Sequence, residues 1–120
     1  MIRARYRCNG RAHSLVVVGH ADYDNHGKDI VCAGCSGVVY ALIGFLHNQE
    51  EADARLTTSV ESGETLISWR GKGIAVEAAF QMAVIGLGQI AQQYPDHVAV
   101  DYIFPHQADD TREKSAEKGA

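Results

Sequence analysis

A histidine and a cysteine stand at the two ends of one short polar segment in this chain of 120 residues. His20 comes just after the apolar run of residues 15–18, and Cys32 comes shortly after Asp29, a favourable helix N-cap residue. The segment between them is rich in turn-forming residues, so it can fold back and bring the imidazole close to the thiol. A helix N-terminus and a neighbouring imidazolium both favour the thiolate, which is the nucleophilic form of cysteine. The pattern therefore predicts a cysteine–histidine site for acyl transfer.

Other interpretations of these residues remain open at this point. A cysteine at the start of a helix often packs as a small hydrophobic residue. The Cys-x-x-Cys pattern of Cys32 and Cys35 is also the spacing of thiol-disulfide redox proteins, although their motif normally follows the first strand of a βαβ unit. A zinc site would gather Cys8, His20, Cys32 and Cys35, but Cys8 falls at the far turn from His20 if the first two strands pair fully.

Composition and charge narrow the class of protein. Hydrophobic residues make up 46% of the chain and charged residues 22%, ordinary values for a soluble globular protein. The net charge of −4 argues against nucleic-acid binding through bulk charge. No apolar run in the sequence has the length of a membrane span, and no apolar segment typical of a secretory signal follows the first charged residues. We therefore expect a cytoplasmic protein with no membrane partner, whose three cysteines stay reduced.

The elements that must position His20 and Cys32 follow from hydrophobic periodicity and turn residues. The predicted strands are residues 2–7, 15–18, 56–60, 65–70 and 97–104, and the predicted helices are residues 30–47 and 74–94. This ββαββαβ order predicts an α+β two-layer domain, a mostly antiparallel sheet with two helices packed on it. Residues 1–106 should form this single domain, and residues 107–120 should be a disordered charged tail.

The residues around both candidates resemble the signature of the ribosomal-processing cysteine protease (Prp) family. The likeness rests on Gly19-His20-Ala21-Asp22, on Gly27, and on the run Lys28-Asp29-Ile30-Val31-Cys32-Ala33-Gly34 followed by Ser36. Together with the order of elements it covers about residues 1–104. The chain differs from the family pattern at Cys35, where we expect a small residue; here we expect Cys35 to pack in the core.

The resemblance implies a cysteine endopeptidase with Cys32 as nucleophile and His20 as general base. Asp29 and Ser36 match further positions of the motif and are expected in supporting roles, as is Ala33. The family is homodimeric and removes the N-terminal extension of ribosomal protein L twenty-seven after a hydrophobic, Phe-rich motif. For this chain we expect no cofactor and no metal. The alternative that the resemblance leaves open is a non-catalytic dimeric binding module of ribosome assembly, which would need neither thiol.

Two further expectations follow from the residues themselves. The backbone N–H groups of Cys32 and Ala33 are the natural donors for an oxyanion at the start of the helix. The histidines at the ends of elements, His13, His47, His97 and His106, are expected to lie on the surface.

Overall fold

The chain forms a five-stranded sheet with two helices in a computed structural model, which describes residues 1–25, 29–49, 55–61, 63–71 and 73–103. The elements in chain order are β1 (Ile2–Asn9), β2 (Ala12–Val18), α1 (Ile30–His47), β3 (Arg55–Glu61), β4 (Glu64–Arg70), α2 (Ile74–Gln93) and β5 (Val98–Ile103). The predicted ββαββαβ order and α+β class are therefore confirmed. The predicted tail, residues 107–120, lies outside the described residues.

The strands lie in the order β3-β4-β2-β1-β5. Three neighbouring pairs are antiparallel, and only β1 and β5 run parallel, because α2 carries the chain back across the sheet between β4 and β5. In this register Val18 lies beside both Arg3 and Glu64. Three features therefore meet at the same end of the sheet's strands: the end of β2, the start of β1 and the β3–β4 turn.

The sheet has one face toward the helices and one face open. Along β1 the buried residues Ile2, Ala4 and Tyr6 alternate with three arginines, as the period of two in a half-buried strand requires. The helix-facing residues of β2 and β4 include Leu15, Ile67 and Trp69, which join the same core.

The sequence was expected to hold no apolar segment of membrane-span length, but both helices are long and apolar enough to cross a membrane, by length and composition alone. In this structure each of them instead turns one stripe of side chains into the core, at spacings of three and four residues. The buried residues are Val31, Cys35, Val39, Leu42 and Leu46 on α1, and Val76, Phe80, Ala83, Val84 and Leu87 on α2.

Candidate active site

A cleft of about 430 Å³ opens where β2 ends and α1 begins. Its lining residues are His20, Asp22, Asp24, Asp29, Cys32, Ala33 and Ser36. The structure thus brings into one cleft all five site residues that the sequence singled out. The cleft also contains the carboxylates of Asp22 and Asp24, to which the sequence assigned no role.

Cys32 lies in the first turn of α1 and is half-buried. Asp29 is the N-cap of this helix, as predicted, and its Oδ1 accepts a hydrogen bond of 2.9 Å from the Cys32 backbone N–H. Ser36 follows one turn later, so its side chain stands on the same face of the helix as the thiol. The thiol therefore sits within the positive field of a helix N-terminus, with a hydroxyl beside it.

His20 is exposed, and its position depends on two glycines of positive φ, Gly19 before it in the chain and Gly63 in the β3–β4 turn. The Gly19 N–H donates a 2.7 Å hydrogen bond to the Gly63 carbonyl oxygen in the β3–β4 turn. A side chain at Gly19 (φ 97°) would collide with the Met1 carbonyl oxygen, and a Cβ at Gly63 (φ 77°) would lie 3.0 Å from Nε2 of His20. Both positions therefore require glycine, and they place the imidazole against the β3–β4 turn.

The Asp29 carboxylate does more than cap the helix. Its Oδ2 accepts hydrogen bonds from the backbone N–H groups of Tyr23, at 2.9 Å, and Asp24, at 3.4 Å. Desolvation raises the pKa of Asp29, but the backbone hydrogen bonds from Cys32, Tyr23, Asp24 and Val31 together outweigh it, so the pKa lies below its ordinary value. Asp29 thus stays ionised and ties the loop after His20 to the start of α1.

The expected oxyanion donors are already used in this structure. The Cys32 N–H bonds to the Asp29 side chain, and the Ala33 N–H donates to the Asp29 carbonyl oxygen at 3.0 Å. That prediction is wrong because both N–H groups belong to the start of the helix. An N-cap side chain accepts from the third helical residue, which is Cys32, and the Ala33 N–H makes the first backbone hydrogen bond of the helix. The side-chain donor that lines the cleft near the thiol is the Ser36 hydroxyl.

The second cysteine of the Cys-x-x-Cys pattern lies in the core, where we expected it to pack. Cys35 is 2% exposed, and burial, with smaller electrostatic contributions from neighbouring Cys32 and Asp29, raises the pKa of its thiol to about 11. Cys8 is far from this cleft, since it pairs with His13 near the opposite end of the β1–β2 hairpin. The four residues of the zinc alternative are therefore not brought together.

Of the four histidines expected on the surface, His47 is exposed and His106 lies outside the described residues, but His13 and His97 are not exposed. His13 is only 4% exposed, because it occupies a helix-facing position on β2, in alternation with Leu15. His97 is half-buried, and its Nδ1 lies 2.8 Å from the Ala21 carbonyl oxygen, beside the candidate general base. The alternation along β2 was the available signal for His13; no local signal marks His97.

Known proteins resemble this chain in sequence and in fold. A family model described as cysteine protease Prp matches residues 1–99. The ribosomal processing cysteine protease Prp of Mycoplasma genitalium is 29% identical over 89 residues, 72% of this chain and 85% of that protein. Its Staphylococcus aureus namesake is 23% identical over 94 residues, 78% of this chain and 89% of that protein.

A solved structure agrees with the fold. The essential ribosomal processing protease Prp of S. aureus, in complex with a covalently linked product peptide, superposes with a TM-score of 0.76 and 22% identity. The match covers 86% of this chain and 100% of that chain. At this level of identity the likeness concerns the fold.

Proposed function

Because this chain belongs to the cysteine protease Prp family and is a cysteine peptidase, we propose that it removes the N-terminal extension of ribosomal protein L twenty-seven, cutting after a hydrophobic, Phe-rich motif. The observation that carries the proposal is one cleft that holds a cysteine in the first turn of a helix and an exposed histidine. The names of the relatives, which describe ribosomal processing, support the class of substrate.

The proposed reaction is a two-step acyl transfer through Cys32. Its Sγ attacks the carbonyl carbon of the scissile peptide bond while His20 takes the thiol proton. His20 then gives that proton to the leaving amine as the C–N bond breaks, and a thioester remains on Cys32. Water attacks the thioester while His20 accepts its proton. The C–S bond then breaks to release the new carboxyl group, and His20 returns the proton to Sγ, which restores the thiol.

The other lining residues have supporting roles in this proposal. The Asp29 carboxylate is engaged by backbone N–H groups and acts by holding the loop and helix in place. The backbone N–H groups of Cys32 and Ala33 already donate to Asp29. We therefore assign the Ser36 hydroxyl as the donor to the carbonyl oxygen of the scissile peptide bond. Ala33 lines the cleft with a small side chain that leaves room for the peptide.

The charge of the cleft supports a ribosomal protein as substrate. Asp22 and Asp24 are both exposed and line the cleft on the loop side. Carboxylates at these positions favour a peptide that carries basic residues near the cut. Proteins that bind RNA are rich in such residues, because they must neutralise phosphates.

We further propose that the protein acts in the cytoplasm as a homodimer. The outer side of α2 supports self-association, because Ile74, Met82 and Ile85 are 85%, 73% and 59% exposed there. Light scattering at micromolar protein should give the mass of a dimer, and a monomer mass would contradict this part of the proposal.

The test is cleavage of a synthetic peptide that carries the L twenty-seven extension and the first residues after it. Mass spectrometry of the wild-type reaction should show two products cut after the Phe-rich motif. Cys32→Ala should abolish cleavage, while the matched variant Cys8→Ala should cleave at the wild-type rate. Intact peptide with the wild-type protein, or cleavage by Cys32→Ala, would overturn the proposal.

A further inference from the structure

The loop that follows His20 is docked on a second part of the molecule, the junction between α2 and β5. His97 lies in this junction, and its Nδ1 is 2.8 Å from the Ala21 carbonyl oxygen. A carbonyl oxygen can only accept, so Nδ1 carries the proton and donates it to this bond. The Ala21 side chain is itself buried. The Ala21–Asp22 peptide unit, one residue beyond the candidate general base, is therefore held by a residue far along the chain.

Tyr23 makes the second contact between the loop and this junction. Its ring meets the Tyr94 and His97 rings edge to face, with centroid distances of 5.3 and 5.4 Å and interplanar angles of 76° and 84°. These are the favourable geometries for aromatic pairs. Between the two contacts, Asp22 has a φ of 56°, a left-handed conformation that a non-glycine residue keeps only where its surroundings impose it.

The junction is a fixed support for these contacts. The N–H groups of His97 and Val98 both donate to the Tyr94 carbonyl oxygen, at 2.9 and 3.0 Å. The His97 carbonyl oxygen in turn accepts a 2.8 Å hydrogen bond from the Ile2 N–H at the start of β1. His97 is thus bound through its backbone to two elements of the domain, which leaves its ring a defined position.

We propose that His97 is a positioning residue for His20: its Nδ1–H donates to the Ala21 carbonyl oxygen and, with the Tyr23 ring packed on the same junction, holds the imidazole of His20 in the cleft beside Cys32. This inference rests on the proposed cysteine peptidase mechanism. Asp29 holds the same loop from the helix side, so the loop is fixed at both of its flanks. His97 does not line the cleft among the described residues and acts through the loop alone.

Three substitutions separate the hydrogen bond from the ring contact and from general packing. His97→Phe keeps an aromatic ring and removes the donor. His97→Asn removes the ring and keeps an N–H group at about the position of Nδ1. His47→Phe is the matched control, because His47 is exposed in the last turn of α1, at the opposite end of that helix from Cys32.

The measurements are kcat and KM for the extension peptide, and the rate of Cys32 alkylation by iodoacetamide as a function of pH. His97→Phe should lower kcat at least about tenfold with KM nearly unchanged, since misplacing a reacting group costs rate rather than binding. It should also move the alkylation curve to higher pH, because a displaced His20 no longer favours the thiolate. His97→Asn should recover most of both properties, and His47→Phe should match the wild type.

An unchanged kcat and alkylation curve in His97→Phe would overturn the inference, as would a His97→Asn variant no better than His97→Phe. The alkylation curve needs no substrate, so it tests the anchor even if the wild-type protein leaves the extension peptide intact, which would overturn the proposed function alone. Should His97→Phe fail to fold, Tyr23→Ala removes the ring contact from the loop side. An unchanged alkylation curve in that variant would then overturn the inference.

Discussion

The chain places a cysteine near a histidine at both ends of the β1–β2 hairpin. At the turn end, Cys8 and His13 are direct partners in the ladder, and side chains in such pairs have Cβ atoms roughly 4.5–5.5 Å apart. At the other end, His20 and Cys32 line one cleft. The two pairs contain the same chemical groups, so their differences show what else a site requires.

At the turn end the histidine is closed off from solvent, while Cys8 is only half-buried. The His13 ring stacks on Phe80 with a centroid distance of 4.9 Å, and its Nδ1 shares a 2.7 Å hydrogen bond with the Tyr6 hydroxyl. Burial lowers the pKa of His13, although the charge of Glu77 opposes this, and burial likewise raises the pKa of Tyr6. A neutral imidazole locked in this way has no access to a substrate.

The pair at the cleft end is open, and its cysteine lies in the first turn of a helix. His20 is exposed and rests against a glycine turn that leaves its ring free on the cleft side. The comparison teaches that closeness of a thiol and an imidazole is insufficient. Access for a peptide and a helix N-terminus distinguish the candidate active site from a packed core cluster.

The sharpest test of this comparison exchanges each histidine for alanine. His20→Ala should lower the cleavage rate by at least ~10², the usual contribution of a general base, with a normal free energy of unfolding. His13→Ala should do the reverse: it should cost about 2–4 kcal/mol in urea denaturation through the cavity it leaves, and the folded protein should cleave nearly normally. The comparison would break if His13→Ala removed activity from folded protein.

Thiol reactivity should rank the three cysteines by their surroundings. At pH 7.5 iodoacetamide should modify Cys32 at least about a hundredfold faster than Cys35, because Cys35 is buried and its thiol has a pKa of about 11. Peptide mapping after short exposure measures the three rates. Labelling of Cys35 ahead of Cys32 would instead favour the redox interpretation of the Cys-x-x-Cys pattern.

The buried histidine should also make the stability depend on pH. Burial lowers the pKa of His13 on folding. Below about pH 6.5 the unfolded chain therefore binds a proton at His13 that the folded protein does not bind. The contribution of the neutral His13 to the free energy of unfolding is therefore complete above that pH and declines as the pH falls. Urea denaturation should show up to about 1 kcal/mol lost between pH 7.5 and pH 5.5. His13→Phe should reduce that loss, and the surface variant His47→Phe should leave it unchanged.

The smallest expected effect concerns the charge that sets the cleft apart from the turn end. Asp22→Asn and Asp24→Asn should each raise KM for a basic peptide by up to about fivefold, which is the range of an exposed ion pair. The value of kcat should change little. The difference should shrink as salt is added. An equal change in KM for a peptide whose basic residues are replaced by glutamine would show that the carboxylates do not read charge.

Local signals in the sequence were enough for the order of the elements and for the pairing of His20 with Cys32 in one cleft. The periodicity of the first predicted strand and the N-cap at Asp29 each involve residues a few positions apart, and the structure has both. The motif around His20 and Cys32 also lies within one loop. The mistaken oxyanion donors came from treating the cap and the free N–H groups separately, although both features were readable from the sequence.

The tertiary structure alone decided the surroundings of those residues. The contact between His97 and Ala21 joins positions 76 residues apart, and it exists because β5 adds to β1 in parallel at the edge where the loop leaves the sheet. The antiparallel pairing of β2 with β4 puts Gly63 against His20, and the packing of α2 buries His13 under Phe80. Periodicity and turn propensity act over a few residues, whereas the burial of the whole core sets the order of the strands. No local pattern in the sequence could therefore predict these contacts.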